Sequence, residues 1–291
     1  MPEDSKLTVI VPAYNEAENL VVILPALKEY CEKKNFKIII VNDGSTDNTR
    51  GALIPFPESD HLSIVHHKLN KGYGAAIKSG ISACKTEYCI TIDADGQHSL
   101  DDIQKLYNCM ISKDADMVVG SRKGTKSATY ARGIGKSIIR MIAKMLMTVP
   151  IHDINSGMKI CRTDLAKKYI HLTPDTMAYS DTITLIFINN RHHVLEEPIT
   201  ITNRLQGKST IGIQTAFQTV MEIINIVILF NPMKIFLPIS FICILISLAW
   251  GIPLIMIGRG VSTGTLLGVV SALLFFLLGL IAEQLSLLRR K

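Results

Sequence analysis

The chain has 291 residues, enough for one sizeable globular domain and a smaller appendage, because single domains usually hold roughly 100 to 200 residues. Its net charge of +6 is modest, and its basic residues are dispersed without the interleaved aromatic residues of a nucleic-acid surface, so we expect no nucleic-acid partner. The six cysteines form no Cys-x-x-Cys pair and no zinc spacing with histidine, which argues against a disulfide framework and a zinc domain.

The first 120 residues alternate short β-branched segments with helical ones, which is typical of a parallel sheet covered by helices. We predict a first helix over residues 16–33, with Asn15 as its N-cap and Glu18 completing a capping box. Ser45 and Ser99 are predicted to cap two further helices. No internal repeat interrupts the pattern, so it predicts one α/β unit. The predicted strands are 7–11, 37–41, 62–66, 88–93 and 117–120.

Polar side chains follow three of the predicted strands, at the point where each strand ends. Asn15 and Glu16 follow the first strand, Asp43 follows the second, and the segment Asp-Ala-Asp-Gly-Gln-His at 93–98 follows the fourth. In open α/β sheets, ligands bind beyond the carboxyl ends of the strands, so we expect these groups to face one crevice. They therefore predict a binding site at this edge of the sheet.

Asp93 and Asp95 are the candidate metal ligands of this site. Two carboxylates separated by one residue at a strand end can hold Mg²⁺ or Mn²⁺ against phosphate oxygens, because these hard cations prefer oxygen ligands. Taken alone, Asp-x-Asp is more often an exposed turn. Its position directly after an apolar strand favours the metal site.

Two long apolar runs, 233–257 and 265–288, each exceed the ~20 residues that a helix needs to cross ~30 Å of hydrocarbon. Buried core helices are the alternative, but core helices are seldom apolar on every face. Lys234 precedes the first run and residues 289–291 are basic, whereas the connecting loop holds only Arg259, so the positive-inside rule predicts that both termini are cytosolic. The first residues show no signal-peptide pattern, so we expect the large domain in the cytosol.

Two amphipathic segments precede these spans. Residues 133–149 carry apolar and basic side chains on opposite faces, which suits a helix on a membrane surface, although a surface helix of a globular domain has the same pattern. A second such segment, 212–230, leads into the first span. We therefore expect a globular domain over 1–210, a juxtamembrane helix over 211–231 and two spanning helices over 232–291.

The motifs at the strand ends resemble those of the inverting family-two glycosyltransferases, whose fold is called GT-A; they lie at 9–16, 41–45 and 93–98. Later segments resemble the polyprenyl-phosphate glycosyltransferases, the group that includes dolichol-phosphate mannose synthase, and these are 120–122, Arg132, 153–157, 197–199 and 204–209. The paired spans resemble the bacterial two-span members. The resemblance implies an α/β domain with a Rossmann-like, mainly parallel sheet and a C-terminal transmembrane hairpin.

Carried onto this sequence, the resemblance implies roles for particular residues. It implies that the nucleoside is held by Pro12, Asn15, Glu16 and Asp43. It implies that the metal is surrounded by Asp93, Asp95 and Gln97, and that the sugar is bordered by Asp153, Asn155 and Ser156. It implies that phosphates are bound by Arg122, Arg132, Arg204 and Ser209. The expected catalytic residues are Asp95, Arg122 and Arg132.

The activity implied by the resemblance is transfer of a hexose-type sugar from a UDP- or GDP-sugar to undecaprenyl or dolichyl phosphate. The transfer would depend on Mg²⁺ or Mn²⁺, invert the anomeric carbon and take place at the cytosolic membrane face. An ionised lipid phosphate can attack without a general base. The implied partners are the membrane, a second copy of the chain in a homo-oligomer, a downstream flippase and a transferase that uses the lipid-linked sugar.

Two departures from the family pattern leave the sugar undetermined, and two other functions are weighed as alternatives. Asp181 and Thr182 stand where many relatives carry glutamate, and Met158 replaces a common aromatic residue, so the sugar stays open. A processive polysaccharide synthase is an alternative, but it ordinarily carries a Gln-x-x-Arg-Trp motif, and the only tryptophan here is Trp250 in the first span. An inactive membrane adaptor is another, although it would not need these carboxylates and arginines. Four histidines are interpreted as surface or strand-end residues: His66, His67, His192 and His193.

Overall fold

The computed structural model of the chain describes residues 5–122, 150–200, 221, 224–225, 227–228 and 230–289. The described residues fall into two compact units: the first contains 5–122 and 150–200, and the second contains the described residues from 221 onward. The amphipathic segment 133–149 and most of the segment 212–230 lie outside the described residues. The predicted domain boundaries after residues 210 and 231 stay predictions.

The first unit contains a seven-stranded sheet in the order β3-β2-β1-β4-β6-β5-β7. Strands β1 to β4 pair in parallel, β6 is antiparallel to both of its neighbours, and β7 is parallel to β5. The mainly parallel α/β fold is therefore confirmed, with one antiparallel strand inserted between β4 and β5. The strands are β1 Leu7–Ala13, β2 Lys37–Asn42, β3 Leu62–His66, β4 Tyr88–Thr91, β5 Met117–Ser121, β6 Lys159–Arg162 and β7 Val194–Pro198.

Helices cover both faces of this sheet. On one face, apolar residues of α1 and α4 pack with Leu7, Val9 and Val11 of β1. On the other face, α3 lies so close that a Cβ at Gly80 would collide with Ile10. Every residue of β1 is consequently buried, as expected for a central strand covered twice. The helices are α1 Ala17–Lys34, α2 Thr49–Leu53, α3 Tyr73–Ala83, α4 Leu100–Ser112, α5 Thr163–Tyr169, which continues into a short 3₁₀ turn, and α6 Tyr179–Asn189.

The predicted start of α1 is wrong in its details. The helix follows Glu16, whose side chain makes no capping hydrogen bond. Asn15 instead adopts a left-handed conformation, with φ of 56°, which asparagine tolerates better than most residues. Its side-chain oxygen accepts hydrogen bonds from the backbone N–H groups of Thr46 (2.8 Å) and Asp47 (3.3 Å). Contacts with a distant loop therefore replace the local capping box.

The two other predicted caps have different outcomes. Ser99 caps α4, because its hydroxyl accepts from the backbone N–H of Asp101. Ser45 caps no helix: α2 begins after Asn48, and the Ser45 hydroxyl accepts from the backbone N–H of Asn15 at 3.0 Å. The end of β1 and the loop after β2 are thus joined by side-chain to backbone hydrogen bonds in both directions.

The second unit contains two long apolar helices, α7 Met233–Met256 and α8 Thr263–Arg289. Small residues let the helices approach closely: a Cβ at Gly251 would collide with Thr265, and one at Gly268 would collide with Ser247. In the most apolar stretch of α7 only 11% of the residues are buried, and in that of α8 only 17%, whereas a core helix is mostly buried. Their length and composition suit membrane spans, as predicted.

Candidate functional site

The site is formed where β4 ends and its chain leaves the sheet. Ile92 still donates its backbone N–H to Ile10 in β1 at 3.1 Å, and Asp93 then turns out of the sheet edge. Gly157, in the loop before β6, lies against Asp93 so closely that a Cβ there would collide with its carboxylate. The Thr91 hydroxyl donates to the Gly157 carbonyl at 2.7 Å, which ties this loop to β4. The position of Asp93 therefore depends on the inserted antiparallel strand.

Asp93 is held by two ring side chains. The Tyr73 hydroxyl donates to Oδ1 at 2.9 Å, and His98 Nε2 lies 3.6 Å from Oδ2. Burial alone would raise the pKa of Asp93, but hydrogen bonding and charge from His98, helped by Tyr73 and Lys159, lower the pKa below its ordinary value. Burial and the charge of Asp93 also raise the pKa of Tyr73 well above its ordinary range. Tyr73 is therefore a neutral hydrogen-bond donor beside the ionised carboxylate of Asp93.

Asp95 is buried, with 5% of its surface exposed, and its Oδ1 accepts from the backbone N–H of Gln97 at 3.1 Å. Gly96 makes this tight turn possible with a positive φ of 71°. The charges of Asp93 and Asp95 both raise the pKa of Tyr73, so both carboxylates influence the same side chain of the site.

Two carboxylates fit a hard cation that takes its remaining ligands from water and substrate phosphates. Within the described ranges, no group of three or more histidine, cysteine, aspartate or glutamate side chains is arranged to hold a metal alone. The oxygen donors of Asp93 and Asp95 therefore suit Mg²⁺ or Mn²⁺ bound jointly with a phosphate-bearing ligand, and they do not form a closed structural site.

The loop after β1 carries the predicted nucleoside residues Asn15 and Glu16. The backbone N–H of Glu16 donates to the Thr49 hydroxyl at 3.0 Å, and its carboxylate accepts from Asn19 at 2.6 Å. Pro12 lies inside β1, paired with Val41. A cleft of about 1180 Å³ opens beside this loop; it does not include Asp93 or Asp95, and its lining contains Asn15, Glu16, Asp47, Asn48, Pro55 and Phe56.

Asp43, predicted to contact the nucleoside, is buried and makes several hydrogen bonds within the chain. Its Oδ1 accepts from His67 Nδ1 at 2.5 Å and from the backbone N–H of Lys71 at 3.0 Å, while Oδ2 accepts from the Gly72 N–H at 2.8 Å. His67 Nε2 lies 2.8 Å from the Ser79 hydroxyl. His67 is thus a strand-end histidine, as interpreted, but its side chain is only 6% exposed and ties the end of β2 to α3.

Arg122 forms the most extensive ion pair of the site. Its guanidinium donates to both carboxylate oxygens of Asp153, at 2.7 and 2.6 Å, and to the side-chain oxygen of Asn155 at 2.6 Å. Burial would raise the pKa of Asp153, but the hydrogen bonds and charge of Arg122 lower it below its ordinary value. The Arg122 side chain is still 36% exposed, so it is accessible to a ligand. The structure thus brings together three of the predicted residues.

The remaining predicted residues fall into two groups. Ser156 is fully buried next to Gly157, and its hydroxyl lies 3.4 Å from the Met158 carbonyl, so it supports the loop from within. Arg132, Arg204 and Ser209 lie outside the described residues, so their roles stay predictions.

Two residues of the site were missed by the sequence interpretation. Tyr73 lies between Gly72 and Gly74, a glycine pair that signals a turn but not the aromatic contact with Asp93. Lys159 is buried in β6, where a charged residue conceals the apolar pattern of a strand. A lone lysine within a short apolar stretch was the available signal for Lys159.

Comparison with known proteins gives two family matches. Residues 8–170, more than half of the chain, match the model of glycosyl transferase family 2. Residues 231–288 match the model of the GtrB C-terminal hairpin. The second match and the two long apolar helices together indicate a membrane protein with two spans.

Among the proteins similar in sequence are one bacterial and one archaeal relative. The polyprenol monophosphomannose synthase of Mycolicibacterium smegmatis is 32% identical over 213 residues, covering 69% of this chain and 79% of that protein. An uncharacterized protein of Methanocaldococcus jannaschii is 28% identical over 229 residues, covering 75% of this chain and 91% of the relative.

Among the solved structures that share the fold are two bacterial proteins. Glucosyl-3-phosphoglycerate synthase from Mycobacterium tuberculosis, in complex with Mn²⁺, UDP and phosphoglyceric acid, aligns with a TM-score of 0.57 at 14% identity, covering 77% of this chain and 78% of that one. S. aureus TarS 1–349 in complex with UDP-GlcNAc aligns with a TM-score of 0.57 at 18% identity, covering 77% and 66%. At these identities the likeness shows the fold alone.

The Arg122–Asp153 pair predicts a pH-dependent stability. Despite burial, Arg122 lowers the pKa of Asp153, so the pair's contribution is complete above the ordinary value of 3.8 and is lost as the pH falls through the lower folded pKa. We expect Asp153→Asn to lower the unfolding free energy by about 1–3 kcal/mol at neutral pH, and thermal unfolding in detergent should show this difference shrinking below about pH 4.

Asp164→Asn is the matched control, because Asp164 forms an exposed pair with Arg162 at 3.5 Å. That substitution should cost less than about 1 kcal/mol. A difference between wild type and Asp153→Asn that stayed constant from neutral to acidic pH would contradict the assignment of an ionised Asp153.

Proposed function

The chain belongs to glycosyltransferase family 2, and from this premise we propose that it transfers a hexose-type sugar from a UDP- or GDP-sugar to a polyprenyl phosphate at the cytosolic face of a membrane. The observation that carries the proposal is the arrangement of charged side chains at the ends of β4 and β5. The carboxylates Asp93 and Asp95 lie at the end of β4, and the charge of Asp93 acts on Arg122 at the end of β5. Two carboxylates and an arginine arranged in this way suit a substrate that combines phosphates with a divalent cation.

The donor diphosphate is the group that the carboxylates would receive through a cation. Asp93 and Asp95 would hold Mg²⁺ or Mn²⁺, with Gln97 beside them, and the cation would neutralise charge on the departing diphosphate. The M. tuberculosis structure, which contains Mn²⁺ with UDP on the same fold, supports this choice of ligand. Asn15, Glu16 and Asp43 border the place proposed for the nucleoside.

The acceptor is proposed to be a phosphate, because an ionised phosphate can attack without losing a proton to a base. The name of the M. smegmatis relative, polyprenol monophosphomannose synthase, denotes a product in which mannose is joined to a polyprenol monophosphate, and this supports a phosphate acceptor. The site must then bring two anions together. Arg122 supplies a guanidinium fixed by Asp153 and Asn155, and Arg132 is proposed as a second one.

The reaction would proceed by one in-line attack, so the anomeric carbon would invert. Asp153 and Asn155 would border the sugar while they orient Arg122. Arg204 and Ser209 are proposed to close over the diphosphate. The hairpin would keep the site near the lipid carrier, and the basic residues beside the spans favour cytosolic termini. A homo-oligomer, a flippase and a transferase that consumes the lipid-linked sugar complete the proposal.

The experiment that tests this function is a panel of nucleotide sugars, incubated with the purified full chain, Mg²⁺ or Mn²⁺ and a polyprenyl phosphate, followed by mass analysis of the lipid. We expect one sugar to be joined to the lipid phosphate. A polyprenyl alcohol of the same length should be inert even at high concentration, because the attacking group is the ionised phosphate. Equal use of the alcohol and the phosphate would contradict the proposal.

Asp95→Asn should abolish detectable transfer, with a loss of at least about 100-fold, because it removes one of two charges that would hold the cation. The new side chain keeps an oxygen that can accept from the Gln97 N–H, so thermal stability should change little. Asp60→Asn, which changes an exposed carboxylate of the same unit, should leave both quantities unchanged. Near-normal transfer by Asp95→Asn in the presence of a chelator would show that the metal assignment is wrong.

A further inference from the structure

Lys159 is a charged residue in the interior of the sheet. It opens β6, where it pairs with Thr91 of β4 on one side and Val119 of β5 on the other. Only 4% of its surface is exposed. A lysine is almost never buried to this degree unless its ammonium group is fully satisfied, so its partners indicate why it is there.

The ammonium group of Lys159 donates to three backbone carbonyls. They belong to Ile154 (2.8 Å) and Ser156 (2.6 Å) in the loop before β6, and to Ser180 (2.8 Å) in the first turn of α6. The Thr184 hydroxyl donates to the same Ser180 carbonyl at 2.9 Å. One side chain in the sheet thus fixes the separation between a loop and a helix that are distant in sequence.

Both of these elements shape the proposed site. The loop carries Asp153 and Asn155, which hold Arg122, and also Gly157, which lies against Asp93. The first turn of α6 carries Asp181, next to the Ser180 carbonyl that Lys159 holds. Lys159 therefore lies behind the residues that are proposed to face the sugar and the phosphates, without being one of them.

The charge of Lys159 also matters to its neighbours. Burial lowers the pKa of Lys159 to about 8, while the carboxylates of Asp181, Asp153 and Asp93 oppose that decrease and Arg122 adds to it. At neutral pH the group is therefore mainly protonated. Three carboxylates and two cations then share one region, and removing a buried cation would leave uncompensated negative charge.

We propose that Lys159 is a positioning residue for glycosyl transfer, which sets the distance between the 153–157 loop and α6 and balances the carboxylates that face the donor. The inference rests on the proposed transfer reaction. Its specific content is that both the three hydrogen bonds and the positive charge are required at a position that no substrate contacts.

The test compares Lys159→Met and Lys159→Arg with the wild-type full chain in detergent. Lys159→Met keeps an unbranched chain but removes charge and donors, whereas Lys159→Arg keeps both. Lys167→Met is the matched control, because the Lys167 ammonium also donates to a backbone carbonyl, that of Cys84 at 2.6 Å, away from the site. For each variant, thermal unfolding, UDP and GDP binding, kcat and KM are measured with the sugar donor that wild type uses.

We expect Lys159→Met to fold with a lower Tm, to bind the nucleotides within about threefold of wild type and to lose about 100-fold or more in kcat, the scale expected when reacting groups are displaced. Lys159→Arg should recover at least about tenfold of that loss, and Lys167→Met should keep wild-type kcat. If Lys159→Met fails to fold, a folded Lys159→Arg with kcat within about tenfold of wild type supports the proposal.

A folded Lys159→Met with kcat within about threefold of wild type would overturn the positioning role and leave the proposed function intact. A folded Lys159→Arg without detectable transfer would show that charge and donors do not account for the role of this position, and would overturn the proposal. Absence of transfer by wild type with every nucleotide sugar would overturn the proposed function first, and the positioning role with it, so the two failures are distinguishable.

Discussion

Keeping carboxylates ionised where burial opposes their charge is the constraint on which the arrangement of the first unit depends. Asp93 is ionised although it is partly buried, because Tyr73 and His98 stabilise its charge. Asp153 is ionised because Arg122 grips both of its oxygens. Ionised carboxylates that are partly removed from water are tolerated only where the surrounding elements supply hydrogen-bond donors and cations, and here these come from parts of the chain that are far apart in sequence.

The antiparallel strand β6 brings several of these groups to the ends of β4 and β5. By lying between β4 and β5, it places the loop that precedes it beside the end of β4, where Gly157 contacts Asp93 and Thr91 donates to the Gly157 carbonyl. The same loop presents Asp153 to the end of β5. A fully parallel sheet would not bring these groups together in this way. The insertion therefore links the two strand ends into one site.

Local sequence signals were sufficient for much of the fold. The first five strands, the Ser99 cap and the two long apolar helices follow from β-branched runs, a capping residue and continuous hydrophobicity, and each is observed close to its predicted limits. The motifs also follow the ends of β1, β2 and β4, as predicted, whereas their joint binding role stays a prediction. What depends on a local pattern could be predicted.

Long-range contacts could not be predicted in the same way. Asn15 matches a helix cap by pattern, but it bonds to the loop after β2. His67 follows β3, and its partner Asp43 follows another strand, β2. In the sequence, Lys159 only interrupts an apolar stretch, and its three carbonyl partners, which explain its burial, are evident only in the structure. In each case at least one partner is distant in the sequence, namely Thr46 for Asn15, Asp43 for His67 and Ser180 for Lys159, so no spacing rule reveals it.

The central claim is that the carboxylates at the end of β4 hold a cation only together with the donor diphosphate. The most direct measurement is Mn²⁺ binding to the full chain, followed by electron paramagnetic resonance with and without UDP or GDP. The account predicts that one of the nucleotides strengthens Mn²⁺ binding by about tenfold or more, because Asp93 and Asp95 supply only part of the ligand set. An Mn²⁺ affinity unchanged by either nucleotide would contradict it.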